Sequence, residues 1–452
     1  MRALAISDTH FGAWTGDDLL AHPYALERLA PHLDDIDELI LLGDLFDLLF
    51  STVEHAVERA QGFFDLVAGR LDGRRVVFLA GNHDHHVMVR ELEESVRLRI
   101  AEGIDAEEAG RRTREEDWLR RYLARRLPGV DVEVAYPTYR FGKALLFHGH
   151  YLDAHMEGSL SNRLLTRTIW KLAGGRPADR LTIEDYESVI VPLSELLYTV
   201  AQLPRGTAAQ QSVYDEIGRL GRMLALPGAP ARGARKFAGW ASDGVRAVRD
   251  RRERRAASGM DPGDVMTDAA GAPMLVAEGE AKARPAHSGG PAGLADGGPP
   301  GTGIGMSVVR PATPSGPTAP AVAAMGQVTR NLGWNKETDV VVFAHTHQPL
   351  ARVVAPGTPG KVRFWNTGSW IYEPSLSSSQ SYLSYLRHGW PGTAVLIDTD
   401  RDEPELIRML TDLNPLDRAR AAGGDRRGVY GQAERFKGTI PTLEDVEGPR
   451  GG

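Results

Sequence analysis

Short apolar runs recur along the chain and alternate with segments of helical spacing. Five of these runs consist almost wholly of Ala, Val, Ile, Leu and Phe: residues 3–7, 39–42, 76–80, 144–147 and 340–344. Short continuous apolar runs are typical of strands that are buried on both faces of a sheet. Further strand candidates are residues 362–365 and 393–398, and residues 130–135 and 139–147, which Pro137 separates.

Apolar residues three and four positions apart predict helices between these strands. Residues 22–33 and 52–71 show this spacing, and residues 91–126 predict two helices that are broken near Gly103 and Gly110. Three more helices are predicted at residues 160–172, 182–202 and 207–226. Strands that alternate with helices predict a mixed α/β fold.

Changes in composition divide the chain into five segments. Residues 1–150 and 321–415 have α/β character and are predicted to form the two parts of one core. Residues 151–255 are predicted to be a helical insertion, and residues 416–452 a loosely attached tail. Residues 256–320 are rich in Gly, Pro and Ala and bury too little apolar surface to offset their ordering entropy. We therefore predict a low-complexity, flexible and disordered linker there.

The composition excludes several kinds of site. The 452 residues are 42% hydrophobic and 25% charged, which is ordinary for a globular protein of two or three units. No cysteine is present, which excludes disulfides, thiolate zinc sites, iron–sulfur clusters and a cysteine nucleophile. The net charge of −7 gives the chain no overall attraction for nucleic acid or acidic membranes.

The N-terminus and the lack of long apolar stretches indicate where in the cell the protein is expected. Met1 and Arg2 lead directly into the first predicted strand, which leaves no room for a signal peptide. No apolar stretch approaches the ~18 residues expected of a membrane-spanning helix. We therefore expect a soluble, cytoplasmic protein.

Residues 232–255 are strongly basic with Phe237 and Trp240 among them. This segment is either a peripheral contact to an anionic membrane or polyanion, or a solvated helix packed on the core.

Side chains that commonly bind metals directly follow each of the five buried runs. The five stretches are Asp8-Thr9-His10, Gly43-Asp44-Leu45-Phe46-Asp47, Gly81-Asn82-His83-Asp84, His148-Gly149-His150 and His345-Thr346-His347. Because buried strands of an open sheet deliver their last residues to one edge, we expect these side chains to lie together. They offer enough oxygen and nitrogen ligands for two metal ions, a device for attacking phosphorus.

The ordered set of motifs resembles the calcineurin-like metallophosphoesterase superfamily over residues 1–150 and 330–400. The resemblance implies a four-layer α/β/β/α sandwich with two metal ions at the strand ends. It implies two ligand sets, which are Asp8, His10, Asp44 and His347 for one ion and Asp44, Asn82, His148 and His345 for the other. Asp44 would bridge the ions, and a bridging group must be an anionic carboxylate. Nitrogen and oxygen ligands without sulfur favour two divalent transition metal ions, Mn, Fe, Zn, Co or Ni.

Two further histidines, His83 and His150, and the carboxylate of Asp47 complete the candidate site. The resemblance implies that His83 is not a ligand but assists the leaving group, with Asp47 as its partner. Alternatively, Asp47 caps the following helix. His150 either contacts the substrate phosphate or is a surface histidine, and His85 and His86 are expected to be exposed loop residues.

These residues predict a phosphoric ester hydrolase. Two metal ions would make hydroxide from water at neutral pH, and this hydroxide would attack phosphorus in line while His83 and Asp47 assist departure. The expected substrate is a small or lipid-linked phosphate ester, and either a monoester or a diester fits. A nuclease is an alternative that the negative net charge disfavours. A second alternative is a non-catalytic metal-binding scaffold. The oligomeric state is not set by the sequence.

Overall fold

A computed structural model describes residues 1–13, 17–155, 181–203, 319–355, 362–374 and 379–421. The described part is mixed α/β with several sheets and helices, as predicted. The predicted helices at 160–172 and 207–226 and the basic segment 232–255 lie outside the described residues. So do all but the last two residues of the predicted linker and residues 422–452 of the predicted tail.

The elements follow one another in the order strand, helix, strand over most of the first 150 residues. The strands are β1 (Arg2–Ile6), β2 (Asp17–Asp18), β3 (Glu38–Leu42), β4 (Arg75–Leu79), β5 (Asp131–Ala135), β6 (Thr138–Phe141), β7 (Ala144–Phe147), β8 (Val340–Phe343), β9 (Leu350–Val354), β10 (Arg363–Asn366), β11 (Ile371–Tyr372), β12 (Thr393–Asp398) and β13 (Glu405–Arg408). The helices are α1 (Pro23–Asp34), α2 (Val53–Arg59), α3 (Gln61–Arg70), α4 (His86–Glu102), α5 (Ala106–Glu116), α6 (Trp118–Arg126), α7 (Ile183–Ala201), α8 (Ala319–Asn331), α9 (Ser379–His388) and α10 (Pro415–Ala421).

Two larger sheets contain the five runs that precede the candidate metal ligands. The first sheet has six strands in the order β13-β12-β1-β3-β4-β5, and its β1, β3, β4 and β5 are parallel. The second has five strands in the order β6-β7-β8-β10-β9, and its β7, β8 and β10 are parallel. Strands β2 and β11 form a separate two-stranded sheet. The parallel strands bring the five motif stretches to the carboxyl edges of the two larger sheets.

The alternation of side chains along each strand explains why both faces of these sheets are apolar. In β1, Leu4 and Ile6 belong to one buried cluster together with residues of α1, α3 and α6. Ala3 and Ala5 belong to a second cluster, which also contains residues of β7, β8 and β10 from the other sheet. A third cluster joins the remaining face of the second sheet to α8. A strand with two buried faces requires the continuous apolar runs seen in the sequence.

Several predicted boundaries were wrong, for local reasons. Residues 52–71 form two helices instead of one, and Thr52 caps the first by accepting a hydrogen bond from the His55 N–H. Residues 86–126 form three helices. Gly103 ends α4 in the left-handed conformation, as expected of a glycine, but Gly110 lies inside α5. The second break falls at Asp117, whose carboxylate caps α6.

Helix α7 connects three of the motif loops. At its start, Tyr186 stacks on Tyr151 with ring centroids 4.7 Å apart. In its middle, Glu195 accepts a hydrogen bond from His86. At its end, the Gln202 side chain accepts a hydrogen bond from the Val53 N–H and donates one to the Ser51 carbonyl. The predicted helix at 182–202 is therefore confirmed.

Within the described ranges, no helix combines the length and the apolar character needed to cross a membrane.

Candidate metal centre

The candidate ligands lie on loops whose backbone takes an unusual conformation. Five of them have positive φ angles although none is glycine, namely Asp8, His10, Asp44, His345 and His347, with φ between 47° and 70°. Asp and His tolerate this left-handed region better than most residues, at a cost of roughly 1–3 kcal/mol each. Strain of this kind is characteristic of functional sites.

Two glycines allow the loops after β3 and β4 to approach each other closely. A Cβ atom on Gly81 would lie 2.2 Å from Asp44 Oδ1 and 2.8 Å from His148 Nε2. A Cβ atom on Gly43 would lie 2.3 Å from His148 Nδ1, and the φ of Gly43 is +84°. Only glycine therefore fits at either position. These glycines allow Asp44 and His148 to share one small volume.

One group of potential ligands surrounds Asn82. Asp44, His148 and His345 offer ligand atoms within 4.8 Å of one another. The Asn82 Oδ1 atom lies 3.2 Å from His148 Nε2 and 2.9 Å from His345 Nδ1. His148 Nδ1 lies 2.8 Å from the Leu42 carbonyl, so in a neutral ring Nδ1 carries the proton and Nε2 a lone pair. In that state the lone pair faces Asp44 Oδ2 at 3.2 Å, and the pair of acceptors can hold either a shared proton or a metal ion.

A second group lies beside the first. Asp8, His10 and His347 offer ligand atoms within 4.8 Å of one another. His347 Nε2 lies 3.1 Å from Asp8 Oδ1 and 3.3 Å from His10 Nε2. His10 Nε2 lies 3.8 Å from Asp44 Oδ2, the same oxygen that faces His148 in the first group. The structure thus brings together the seven predicted ligands, with Asp44 between the two groups.

The electrostatics of the two groups favour cations. Asp8 and Asp44 are fully buried, and Asp8 Oδ1 and Asp44 Oδ2 lack a hydrogen-bond partner. Burial raises the pKa of Asp44, but His148 and His83 outweigh it and the pKa falls well below its usual range. Burial lowers the pKa of His148, but Asp44 and Asp8 outweigh it and the pKa rises to about 10. Buried anions with unsatisfied oxygens are costly without a compensating cation. The donor set therefore fits divalent metal ions.

His83 and Asp47 form a buried pair beside the two groups. His83 Nδ1 lies 2.7 Å from Asp47 Oδ1, and the His83 N–H donates to Asp44 Oδ1 at 2.8 Å. Burial lowers the pKa of His83, but Asp44 and Asp47 outweigh it and the pKa rises to about 9. Its Nε2 is buried and has no hydrogen-bond partner. His83 therefore holds a proton at Nε2 that no protein group accepts.

Residues outside the predicted set also support the site. Asp84 accepts hydrogen bonds from the Gly81 N–H at 2.6 Å and the Leu45 N–H at 2.8 Å, which ties the loops after β3 and β4 together. Ser7 donates to Asp8 Oδ2 and contacts Thr367. Burial and the charge of Asp44 raise the pKa of Asp84 to about 6. The sequence contained Asp84 inside a motif, but nothing local indicated its two backbone partners.

The expectation that His85 and His86 are exposed was wrong. His85 is 2% exposed, and its Nε2 lies 2.9 Å from the Tyr136 hydroxyl and 2.7 Å from a Glu187 oxygen. His86 is partly buried and stacks on Tyr198 with ring centroids 3.5 Å apart. Helix α7 covers both rings, and its position could not be read from the local sequence.

His150 is not a surface residue either, because it is 1% exposed. Neither of its ring nitrogens has a hydrogen-bond partner.

Another group of potential ligands lies apart from the motifs. Asp17, Asp18 and His22 offer atoms within 4.8 Å of one another. Arg59 already binds the Asp18 carboxylate through two nitrogens, and His22 Nε2 lies 2.7 Å from Asp17 Oδ1. These partners compensate the carboxylates, so this group differs from the motif residues, where Asp8 Oδ1 and Asp44 Oδ2 have no hydrogen-bond partner.

Comparison with known proteins agrees with this geometry. Residues 1–187 match the family model described as calcineurin-like phosphoesterase. The match contains four of the five motif stretches, whereas His345 and His347 lie beyond it and are brought to the site by the fold. No curated protein matches the chain. This match over residues 1–187 supports the calcineurin-like metallophosphoesterase superfamily for the chain.

Proposed function

We propose that the protein is a metal-dependent hydrolase that cleaves a phosphoester by in-line attack of a water-derived nucleophile. The observation that carries this proposal is the oxygen Asp44 Oδ2, which is buried, lacks a hydrogen-bond partner and faces both His10 and His148. A carboxylate in this position can serve two cations at once. Asp8, His10, Asp44 and His347 would hold one ion, and Asp44, Asn82, His148 and His345 the other.

Each part of the site has a separate task in this proposal. When bound, divalent metal ions would supply Lewis acidity toward the phosphate oxygens and lower the pKa of water. His83 would hold the proton that the leaving oxygen requires, with Asp47 fixing the ring through Nδ1. A non-catalytic scaffold would not require this buried acid. We also propose the four-layer α/β/β/α order, which the three separate apolar clusters support.

The remaining sequence-based expectations also stay proposals. These are the metal number and identity, a small or lipid-linked substrate, a cytoplasmic location and a peripheral membrane contact through residues 232–255. The division of the chain into five segments also remains a proposal, because most of the insertion and linker lies outside the described residues.

A panel of three substrates tests the proposed function. The purified full chain with added Mn is assayed on an aryl phosphomonoester, an aryl phosphodiester and single-stranded DNA. We expect hydrolysis of at least one aryl ester, lost on chelation and in Asp44→Ala. Cleavage of the DNA alone would support a nuclease instead. No hydrolysis of any of the three substrates by the metal-bound protein would contradict the proposal and support a non-catalytic scaffold.

A further inference from the structure

Asp153 contacts a proposed metal ligand from outside every motif. It lies in a short 3-10 segment, His150–Ala154, that follows β7. Its Oδ1 atom is 3.0 Å from His345 Nε2, and its side chain is 32% exposed, whereas that of His345 is 1% exposed. The two residues are separated by 192 positions in the chain. The contact therefore exists only because β7 and β8 are neighbours in the second sheet.

The contact decides which nitrogen of His345 is free to bind a metal. An ionised carboxylate only accepts hydrogen bonds, so His345 Nε2 must carry the proton that it donates to Asp153. Nδ1 then has the lone pair, and it faces Asn82 Oδ1 at 2.9 Å. The opposite tautomer would direct an N–H toward the ligand group and leave Asp153 facing a lone pair.

In the same ligand group, the tautomer of His148 is fixed by a different kind of hydrogen-bond acceptor. Its remote nitrogen, Nδ1, lies 2.8 Å from the Leu42 carbonyl, a backbone acceptor that no substitution removes. His345 instead relies on a side chain, and its own backbone takes a φ of 70°. Of these two histidines, His345 is thus the one whose orientation is open to change by mutation.

We propose that Asp153 is a positioning residue that fixes the tautomer and ring orientation of His345, and thereby sets the affinity of one of the two metal sites. The inference rests on the proposed function, because it assumes that His345 binds a metal ion. Carboxylate partners of metal-binding histidines also increase the basicity of the ligand nitrogen. Asp153 would contribute through both orientation and charge.

Two substitutions at Asp153 separate orientation from charge. Asp153→Ala removes the acceptor, whereas Asp153→Asn keeps an acceptor oxygen but removes the charge. Metal affinity of the full chain is measured by competition between Mn and a chelator, and metal content by elemental analysis. For Asp153→Ala we expect about 10–100-fold weaker binding of one ion of the two, with an intermediate loss for Asp153→Asn. Asp402→Ala is the matched control, because that carboxylate is 89% exposed and pairs with Lys143 on the surface.

A double variant identifies the route of the effect. Because Asp153 acts through His345, adding Asp153→Ala to His345→Ala should cause no further loss of metal affinity. Wild-type affinity for both ions in Asp153→Ala would overturn the inference. Equal weakening of both ions, together with a lower melting temperature of the metal-free protein, would show a merely structural role and would also overturn it.

The same measurements separate this inference from the proposed function. A wild-type protein that binds two ions but cleaves none of the three substrates would contradict hydrolysis. In that case the chelator competition would still decide whether Asp153 sets the affinity of one ion. Wild-type activity with unchanged metal affinity in Asp153→Ala would leave the proposed function standing and remove the role of Asp153.

Discussion

Asp47 holds His83 through a buried 2.7 Å contact between Oδ1 and Nδ1, and this leaves Nε2 of the same ring without a protein partner. Asp44 and Asp47 together raise the pKa of His83 to about 9 despite its burial. In the metal-free site these two anions favour the protonated ring at neutral pH. It can therefore give up a proton only to a group that enters the site.

Removal of the Asp47 charge should lower activity at alkaline pH first. Asp47→Asn takes away one of the anions that raise the pKa of His83, so the protonated form is lost at a lower pH. We expect the descending alkaline limb of the pH–rate profile to move down by about 1–3 pH units, while metal content is unchanged. His83→Ala should reduce kcat by about 10²–10⁴-fold and abolish this limb. An unmoved limb in Asp47→Asn would contradict the pairing of roles.

Removal of metal should destabilise the wild-type protein more than a variant without Asp44. Asp8 and Asp44 are fully buried anions, and a cation that binds only the folded state stabilises it. At an ion concentration of about 100 times Kd the gain is about 2.7 kcal/mol. Melting curves with and without chelator measure this difference. Asp44→Ala should show little response to chelator and have no activity, whereas His83→Ala should respond like the wild type. Equal metal loss in both variants would refute this division.

A methyl group at Gly81 should disrupt the metal centre. The Cβ atom of Gly81→Ala would lie 2.2 Å from Asp44 Oδ1, so the loops after β3 and β4 must separate. We expect loss of bound metal and of activity. Gly69→Ala is the matched control, because Gly69 lies in α3 with no atom within 4 Å of its Cβ position. That change should be neutral or stabilise by about 0.5–1 kcal/mol. Full metal content in Gly81→Ala would show that the loops are less tightly fitted.

Glu187 should contribute stability that depends on pH. It accepts hydrogen bonds from His85, Tyr136 and Tyr151. Burial raises the pKa of Glu187, but His85, Tyr136 and Tyr151 outweigh it and the pKa is lowered. A lowered folded-state pKa means that the contribution is present above the unfolded pKa of glutamate and is lost as the pH falls through the folded pKa.

The comparison of Glu187→Gln with the wild type measures this contribution. At neutral pH we expect Glu187→Gln to lower the unfolding free energy by about 1–3 kcal/mol in metal-free protein. The difference should shrink as the pH falls. Glu115→Gln, at a 60% exposed carboxylate paired with Arg111, should cost only about 0–1 kcal/mol. A difference between Glu187→Gln and the wild type that stays constant on acidification would contradict the charged form of Glu187.

The sequence predicted the parts of the site that depend on local pattern. Asp8, Asp44, Asn82, His148 and His345 each follow a continuous apolar run, and such runs end at a common edge of a sheet. Their convergence therefore required no knowledge of distant contacts. The mixed α/β class and α7 were predicted for the same reason, because periodicity is a local property.

The parts that escaped prediction depend on contacts between distant segments. Asp153 precedes no apolar run and follows none, and its partner His345 is 192 positions away. His85 was expected to be an exposed loop residue, whereas Glu187, 102 positions later, forms a hydrogen bond with its ring. Gly110 was expected to break a helix, yet it lies inside α5, where helix packing against α4 and α6 outweighs its low propensity.

The positive φ angles of Asp8, His10, Asp44, His345 and His347 carry a consequence for any effort to improve this protein. Glycine is the residue that relaxes each of these positions, so a screen that rewards yield or heat resistance alone would favour the loss of the side chains the chemistry needs. Directed evolution should therefore hold these five codons fixed and seek its gains elsewhere.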